Sequence, residues 1–98
     1  MEMIKTFLDA EGRLVRWPSK RSKKLAALLY LAERFTPGVS YTEREVNDLL
    51  DDWHTYHDPA TLRRELVAHG LICREQDGSR YWLPDIRPTY EDLSKLYG

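Results

Sequence analysis

Two adjacent arginines, Arg63 and Arg64, stand just after Thr61 in the segment DPATLRRELVAHGLICREQDGSRYWL, Asp58 to Leu83, and carry the sharpest chemistry in the chain. A guanidinium group presents a rigid fork of donors that pairs with a guanine edge or grips a phosphate. Further along the segment, Arg74, Gln76, Ser79 and Arg80 can bond phosphate or sugar oxygens. A second basic group, Lys20, Arg21, Lys23 and Lys24, joins Arg13 and Arg16 in a stretch free of acids. That stretch reads as a basic arm suited to phosphate. The competing reading of all three groups is plain solvated surface, with Arg63 or Arg64 paired to a nearby carboxylate such as Glu65 or Asp58.

Other chemistries find less support. His54, His57, Asp58, His69 and Cys73 are ligand types for first-row metals, yet two histidines in a loop and a His/Cys pair straddling a helix stop match no zinc pattern. No metal is expected, and His69 is expected to be a partly buried packing residue. A catalytic site needs a nucleophile beside a base, paired carboxylates in a cleft or a glycine-rich phosphate cradle. None is signalled, so neither an enzyme nor a cofactor is expected. A small-molecule sensor using the Cys73 thiol is disfavoured because Cys73 begins a strand predicted to be buried. Tyr30, Tyr41, Trp53, Tyr56, Tyr81 and Trp82 read mainly as core. Tyr81 and Trp82 point to opposite faces of one strand, so one packs inward and the other is left for the surface.

At 98 residues, with 42% hydrophobic and 32% charged residues, the chain has material for one modest core and no second one. A single cysteine, no window approaching a membrane span and no charged start followed by an apolar run point to a reducing cytoplasm. The formal net charge of −1 supplies no general pull on nucleic acid. The distribution matters more, because Glu43, Glu45, Asp48, Asp51 and Asp52 crowd one region, relieved only by Arg44, and should repel phosphate.

The elements that must position these groups follow from periodicity. Met3 to Leu8 is a short helix or strand, Asp9 to Gly12 a turn, and Arg13 to Trp17 an extended piece before Pro18, which disfavours helix in its predecessor. Ser22 can cap a first helix whose stripe is Leu25, Leu28, Leu29, Ala32 and Phe35, ended by Pro37-Gly38. Val39 to Tyr41 is extended. Thr42 and Glu45 form a capping box opening a second helix with the stripe Val46, Leu49, Leu50 and Trp53. Asp58 as N-cap, Pro59 at the first position and Gly70 as stop bound a third helix. On it Leu62 and Leu66 face inward, Arg64 and Ala68 face outward, and Arg63 lies on a flank. Leu71–Glu75 and Ser79–Leu83 flank Asp77-Gly78 as a hairpin with a tight turn. Thr89 can cap a last helix with Tyr90, Leu93, Leu96 and Tyr97 on one side.

Three helices and a hairpin, mainly α with a small β element, form the order of a winged helix-turn-helix, which sets one helix in the DNA major groove and a ribbon beside it. The predicted layout is a single domain with an N-terminal arm (1–21), a winged-helix body (22–83) and a C-terminal helical tail (84–98). The segments FLDAEGRL at Phe7–Leu14, P-x-K at Pro18–Lys20, YLAERF at Tyr30–Phe35, YTEREVNDLL at Tyr41–Leu50, LRRELV at Leu62–Val67 and DGSRYW at Asp77–Trp82 carry a resemblance. Along nearly its full length the chain resembles the bacterial family called domain of unknown function 2087. The resemblance implies a winged-helix relative that occurs alone or attached to helix-turn-helix or acetyltransferase-type domains, in a regulatory setting. It implies no ligand and no DNA site.

The resulting expectation is a module binding duplex DNA in transcriptional regulation, as a dimer through the tail from Thr89 to Tyr97. Arg64 and Thr61 would reach base edges, Arg63 and the Lys20–Lys24 arm would touch phosphates, and Gln76, Ser79 and Arg80 would add backbone contacts. The alternative is a protein-interaction module with the same fold that presents an aromatic or acidic face to a regulatory partner.

Overall fold

The computed structural model describes residues 2–97; Met1 and Gly98, the outer limits of the predicted arm and tail, lie outside the described residues. A 3-10 helix, Glu2–Phe7, precedes α1 (Arg21–Ala32), α2 (Glu43–Asp51), α3 (Pro59–Ala68), β1 (Cys73–Arg74), β2 (Tyr81–Trp82) and α4 (Tyr90–Tyr97). The fold is mainly helical with a small antiparallel hairpin, as the periodicity predicts.

The first helix is the axis of the core. Leu25, Ala26, Ala27 and Leu28 are buried in succession, with Leu31 and Ala32 a turn further on. Burial of successive residues means neighbours on several sides, and α1 packs against the 3-10 helix, α3 and α4. The single stripe expected from spacing is therefore too narrow. Val46 and Leu50 of α2, Leu62 and Leu66 of α3, Leu71, Ile72, Tyr81 and Leu93 complete the core. Each fully buried leucine contributes on the order of 1.5–3 kcal/mol to the folded state.

The N-terminal region is not an appended arm. Ile4 and Leu14 have no exposed surface. The Leu14 amide donates to the Trp53 carbonyl at 2.8 Å and the Leu14 carbonyl accepts from Thr55 at 2.9 Å, stitching this segment to the end of α2. The Asp9–Gly12 turn is present, with the Gly12 amide bonded to the Asp9 carbonyl at 3.0 Å. The Asp9 carboxylate accepts from the backbone amides of Arg13 and Glu11, which holds its pKa below the usual carboxylate value.

Helix α1 begins one residue before the expected Ser22 cap. Lys20 is the N-cap and makes no side-chain cap bond; the amides of Lys23 and Lys24 both reach the Lys20 carbonyl. The basic stretch is thus helical from Arg21 onward. At its other end the helix stops at Ala32, and a turn through Glu33 to Phe35 still buries Phe35. In α2 the capping box is complete: Thr42 Oγ1 accepts from Glu45 N at 3.1 Å, and Glu45 Oε1 from Thr42 N at 2.8 Å.

Both ends of α3 match their sequence signals. Asp58 Oδ1 accepts from Thr61 N, and Pro59 occupies the first turn. At the other end Gly70 N bonds the Val67 carbonyl and Leu71 N the Leu66 carbonyl, a Schellman closure that needs Gly70 at its positive φ of 70°. The same closure keeps Leu71 and Ile72 turned towards Leu66, so the first hairpin strand shortens to Cys73–Arg74.

In the hairpin, Cys73 pairs with Trp82 and Arg74 with Tyr81, and Glu75 N donates to the Arg80 carbonyl at 2.9 Å. The connection is longer than the tight two-residue turn expected at Asp77-Gly78. Only Gly78 takes positive φ there, its amide bonding the Glu75 carbonyl, while Ser79 N donates to Asp77 Oδ1. The extended residue Tyr41 pairs with Tyr81 on the far side of β2 through two backbone bonds of 2.7 and 2.8 Å, so β2 is flanked on both sides.

Helix α4 opens with Thr89 and Asp92 capping each other. Its apolar side, with Leu93 buried and Tyr90 and Tyr97 half-buried, packs on α1 of the same chain. The packing need that the sequence reading assigned to a second copy is met internally. Leu96, expected on the same side, is 75% exposed because it lies about 60° from Leu93 on the flank away from Tyr90 and Tyr97.

Candidate nucleic-acid interface

The outward face of α3 is as the helical wheel requires. Thr61, Arg64 and Ala68 are exposed, opposite buried Leu62 and Leu66. Among the described residues Arg64 has no hydrogen bond and no ion pair. Its charge is available to an incoming ligand.

Arg63 behaves differently, its side chain being engaged within the protein. Its side chain is only 12% exposed, Nη1 donates to Asn47 Oδ1 at 2.5 Å, and Nη2 lies 3.9 Å from Glu43 Oε1. One residue beyond Leu62 means a rotation of about 100°, which turns Arg63 towards α2 rather than solvent. The tie is to α2, not to Glu65 or Asp58.

Arg74 is exposed yet internally engaged, donating at 3.1 Å to the carbonyls of both Glu75 and Gln76 and so bracing the hairpin loop. Arg80 meets Glu75 Oε1 at 3.1 Å in an exposed pair. Such a pair contributes roughly 0–1 kcal/mol and yields easily to a competing anion. Gln76 and Ser79 are exposed at the tip. Ser79, through its side chain and then its amide, holds the Asp77 carboxyl below the usual carboxylate range.

Two shallow grooves flank α3. One, between α3 and the hairpin, is lined by Arg63, Arg64, Val67, Ala68, Arg74 and Tyr81. The other, on the Glu65 and His69 side, is reached by Arg21 and Lys24 from α1 and by Tyr97 from α4. The basic start of α1 and the hairpin therefore lie on opposite sides of the helix bearing Arg64. Lys20 and Arg21 are exposed, and Lys23 and Lys24 are half-buried. An Arg21 Nη1 group donates to the Tyr97 carbonyl. The Phe7 ring lies 5.7 Å from Lys23 Nζ and 4.2 Å from Arg16 Cζ, supporting the basic cluster from beneath. Among the described residues no carboxylate lies within ion-pairing distance of Lys20, Lys23 or Lys24. By contrast Glu43 and Glu45 occupy the first turn of α2.

His54, His69 and the thiol are placed as packing groups, while His57 is exposed. His54 is buried; its Nδ1 meets the Leu50 carbonyl at 2.6 Å while Nε2 accepts from Asp58 N at 2.8 Å, which defines the tautomer with its proton on Nδ1. His69 Nδ1 bonds the Glu65 carbonyl, and its ring packs 4.4 Å from Tyr97. Cys73 is free and half-buried. Among the described residues no three His, Cys, Asp or Glu side chains gather, and no helix is long and apolar enough to cross a membrane. Of the two strand aromatics, Tyr81 is the buried one and Trp82 is half-exposed.

Fold and site together define a small α+β domain whose third helix presents Arg64, without an ion pair among the described residues, between a basic helix start and a hairpin. Residues 13–83 match the family described as an uncharacterized protein conserved in bacteria, DUF2087, and the chain belongs to that family. The match leaves the 3-10 helix and α4 outside it. No curated protein and no solved structure matches the chain.

The sequence marks Glu43 only as part of an acidic region and gives Asn47 no role. A signal was present, since the two are spaced i, i+4 on one side of α2, where a neighbouring helix could receive them. Nothing in a linear reading says that Arg63 is that neighbour.

Proposed function

We propose that the domain is a winged helix-turn-helix module that binds duplex DNA in transcriptional regulation, in a reducing cytoplasm. Helices α2 and α3 are the helix-turn-helix, and the β1–β2 hairpin is the wing. The observation that carries the reading is Arg64, exposed and unpaired beside Thr61 on α3, with Arg74 in the groove on one side and the Lys20–Lys24 turn on the other. Arg64 and Thr61 reach base edges. Lys20, Arg21, Lys23 and Lys24 contact phosphates, and Gln76, Ser79 and Arg80 add backbone contacts from the wing. Arg63 is withdrawn from the contact set, leaving fewer phosphate partners than the sequence counts.

The test is fluorescence anisotropy of labelled duplex DNA, random and selected, at two salt concentrations, with Arg64→Ala and Lys23→Ala. Arg64→Ala should cost about 1–3 kcal/mol on the selected site and relax its discrimination, whereas Lys23→Ala should weaken both duplexes alike and lower the salt slope by about one. A folded wild-type protein that binds neither duplex at low salt would overturn the reading. It would favour a second one, protein docking, which draws on a different surface: Val39 and Trp82 line a groove on the outer side of the hairpin, and Ile86 nearby in sequence is 90% exposed.

A further inference from the structure

We infer that Glu43 is the residue that limits the affinity of this groove for duplex DNA, by holding phosphate attraction down; the inference rests on the DNA-binding reading above. Glu43 is the first residue of α2, yet its carboxylate serves three elements. Oε1 accepts from the hydroxyl of Tyr81 on β2 at 3.2 Å and lies 3.9 Å from Arg63 Nη2 on α3. The same oxygen stands 3.9 Å from the position a Cβ would take on Gly78 in the wing loop. Tyr81 and Arg63 both line the groove shared by Arg64 and Arg74. Glu43 is therefore a fixed negative charge at the edge of the recognition groove, half-exposed at 52%.

Three physical consequences follow. The charge of Arg63 is spent inside the protein, so the groove loses one phosphate partner. The start of α2, a ready anion site in an uncharged helix, is closed by the complete capping box and by the carboxylates of Glu43 and Glu45. Finally, the Tyr81 hydroxyl bond ties the wing to α2, and the same carboxylate reaches Arg63 on α3, so Arg64 is presented from a braced frame. A repulsive charge that acts on every duplex alike lowers the affinity for all of them by the same factor, while the arginine that acts through base edges keeps its discrimination. Three of the segments that resemble the family, YTEREVNDLL, LRRELV and DGSRYW, supply Glu43 with Asn47, Arg63 and Tyr81 to this one junction.

The deciding experiment compares wild type with Glu43→Gln, which keeps the acceptor for Tyr81 and removes the charge. Anisotropy titrations use random duplex and the duplex recovered by selection with the wild-type protein, at two salt concentrations, with circular dichroism as the fold check. The expected result is affinity for both duplexes higher by about three- to tenfold, a salt slope steeper by about one, and an unchanged ratio of specific to random affinity. In the wild-type complex, the Arg64 Nε–Hε resonance should shift on adding DNA and that of Arg63 should not. If wild type binds DNA while Glu43→Gln is unchanged or weaker on random duplex, the affinity-limiting role is wrong and Glu43 is only a clamp. If neither protein binds at low salt and both are folded, the DNA-binding reading itself has failed.

Discussion

Replacing Asn47 by alanine tests whether Arg63 is a structural lock or a free cation. The Arg63 side chain is 12% exposed, and its hydrogen-bond acceptor is Asn47 Oδ1 at 2.5 Å; Glu43, at 3.9 Å from Nη2, is too distant to replace that bond. A hydrogen bond to a charged group contributes about 1.5–3 kcal/mol when the alternative is a desolvated donor. The small remaining exposure and the attraction of Glu43 return part of that, so Asn47→Ala should destabilise by about 1.5–2 kcal/mol. For a domain of this size, that is a fall in melting temperature of roughly 6–15 °C. Urea unfolding followed by tryptophan fluorescence would be run on Asn47→Ala, Arg63→Met and the double variant. Because both single changes break the same contact, the cycle should show a coupling of about 1–1.5 kcal/mol. A loss below about 0.5 kcal/mol in Asn47→Ala, or strictly additive effects, would mean that Arg63 is free in solution and open to phosphate after all.

Two further outcomes follow from buried polar groups. His54→Leu removes the acceptor of the Asp58 amide at the start of α3 and should cost about 2–3 kcal/mol; unfolding within about 0.5 kcal/mol of wild type would refute the two-bond role of this ring. Among the described residues the buried Tyr56 hydroxyl has no partner, and its pKa is pushed up to about 12 from the usual 10, first by desolvation and then by Asp58. Here the folded state keeps a proton that the unfolded state releases, so this contribution is intact below pH 10 and is lost between pH 10 and about 12. Tyr56→Phe should therefore flatten the alkaline fall in melting temperature without loss of stability at neutral pH, and an alkaline limb identical to wild type would show that Tyr56 does not cause it.

Much of the fold was legible because its signals are local. Thr42 with Glu45, Asp58 with Pro59, and Gly70 each satisfy or terminate backbone hydrogen bonds within a few residues, and the structure uses every one of them. The 3.6-residue period likewise separated Leu62 and Leu66 from Arg64, since facing in or out on one helix depends only on that helix. The hairpin was placed correctly but drawn too long, because the competing demand on the amides of Leu71 and Ile72 comes from the end of α3.

What the chain alone determined, then, is which segments form the four α-helices, where α2 starts and where α3 starts and stops, and that Arg64 looks outward. Tertiary structure decided the rest, because the remaining questions concern groups far apart in sequence. The predicted arm holds Ile4 and Leu14 in the core, and the tail that called for a partner lies on α1. Arg63 and Arg64, adjacent and chemically identical, have different fates because a rotation of about 100° turns one towards Asn47 and Glu43 and leaves the other in water. A side chain's charge is written in the sequence; whether that charge is already spent depends on which neighbour the packed core brings within about 3 Å.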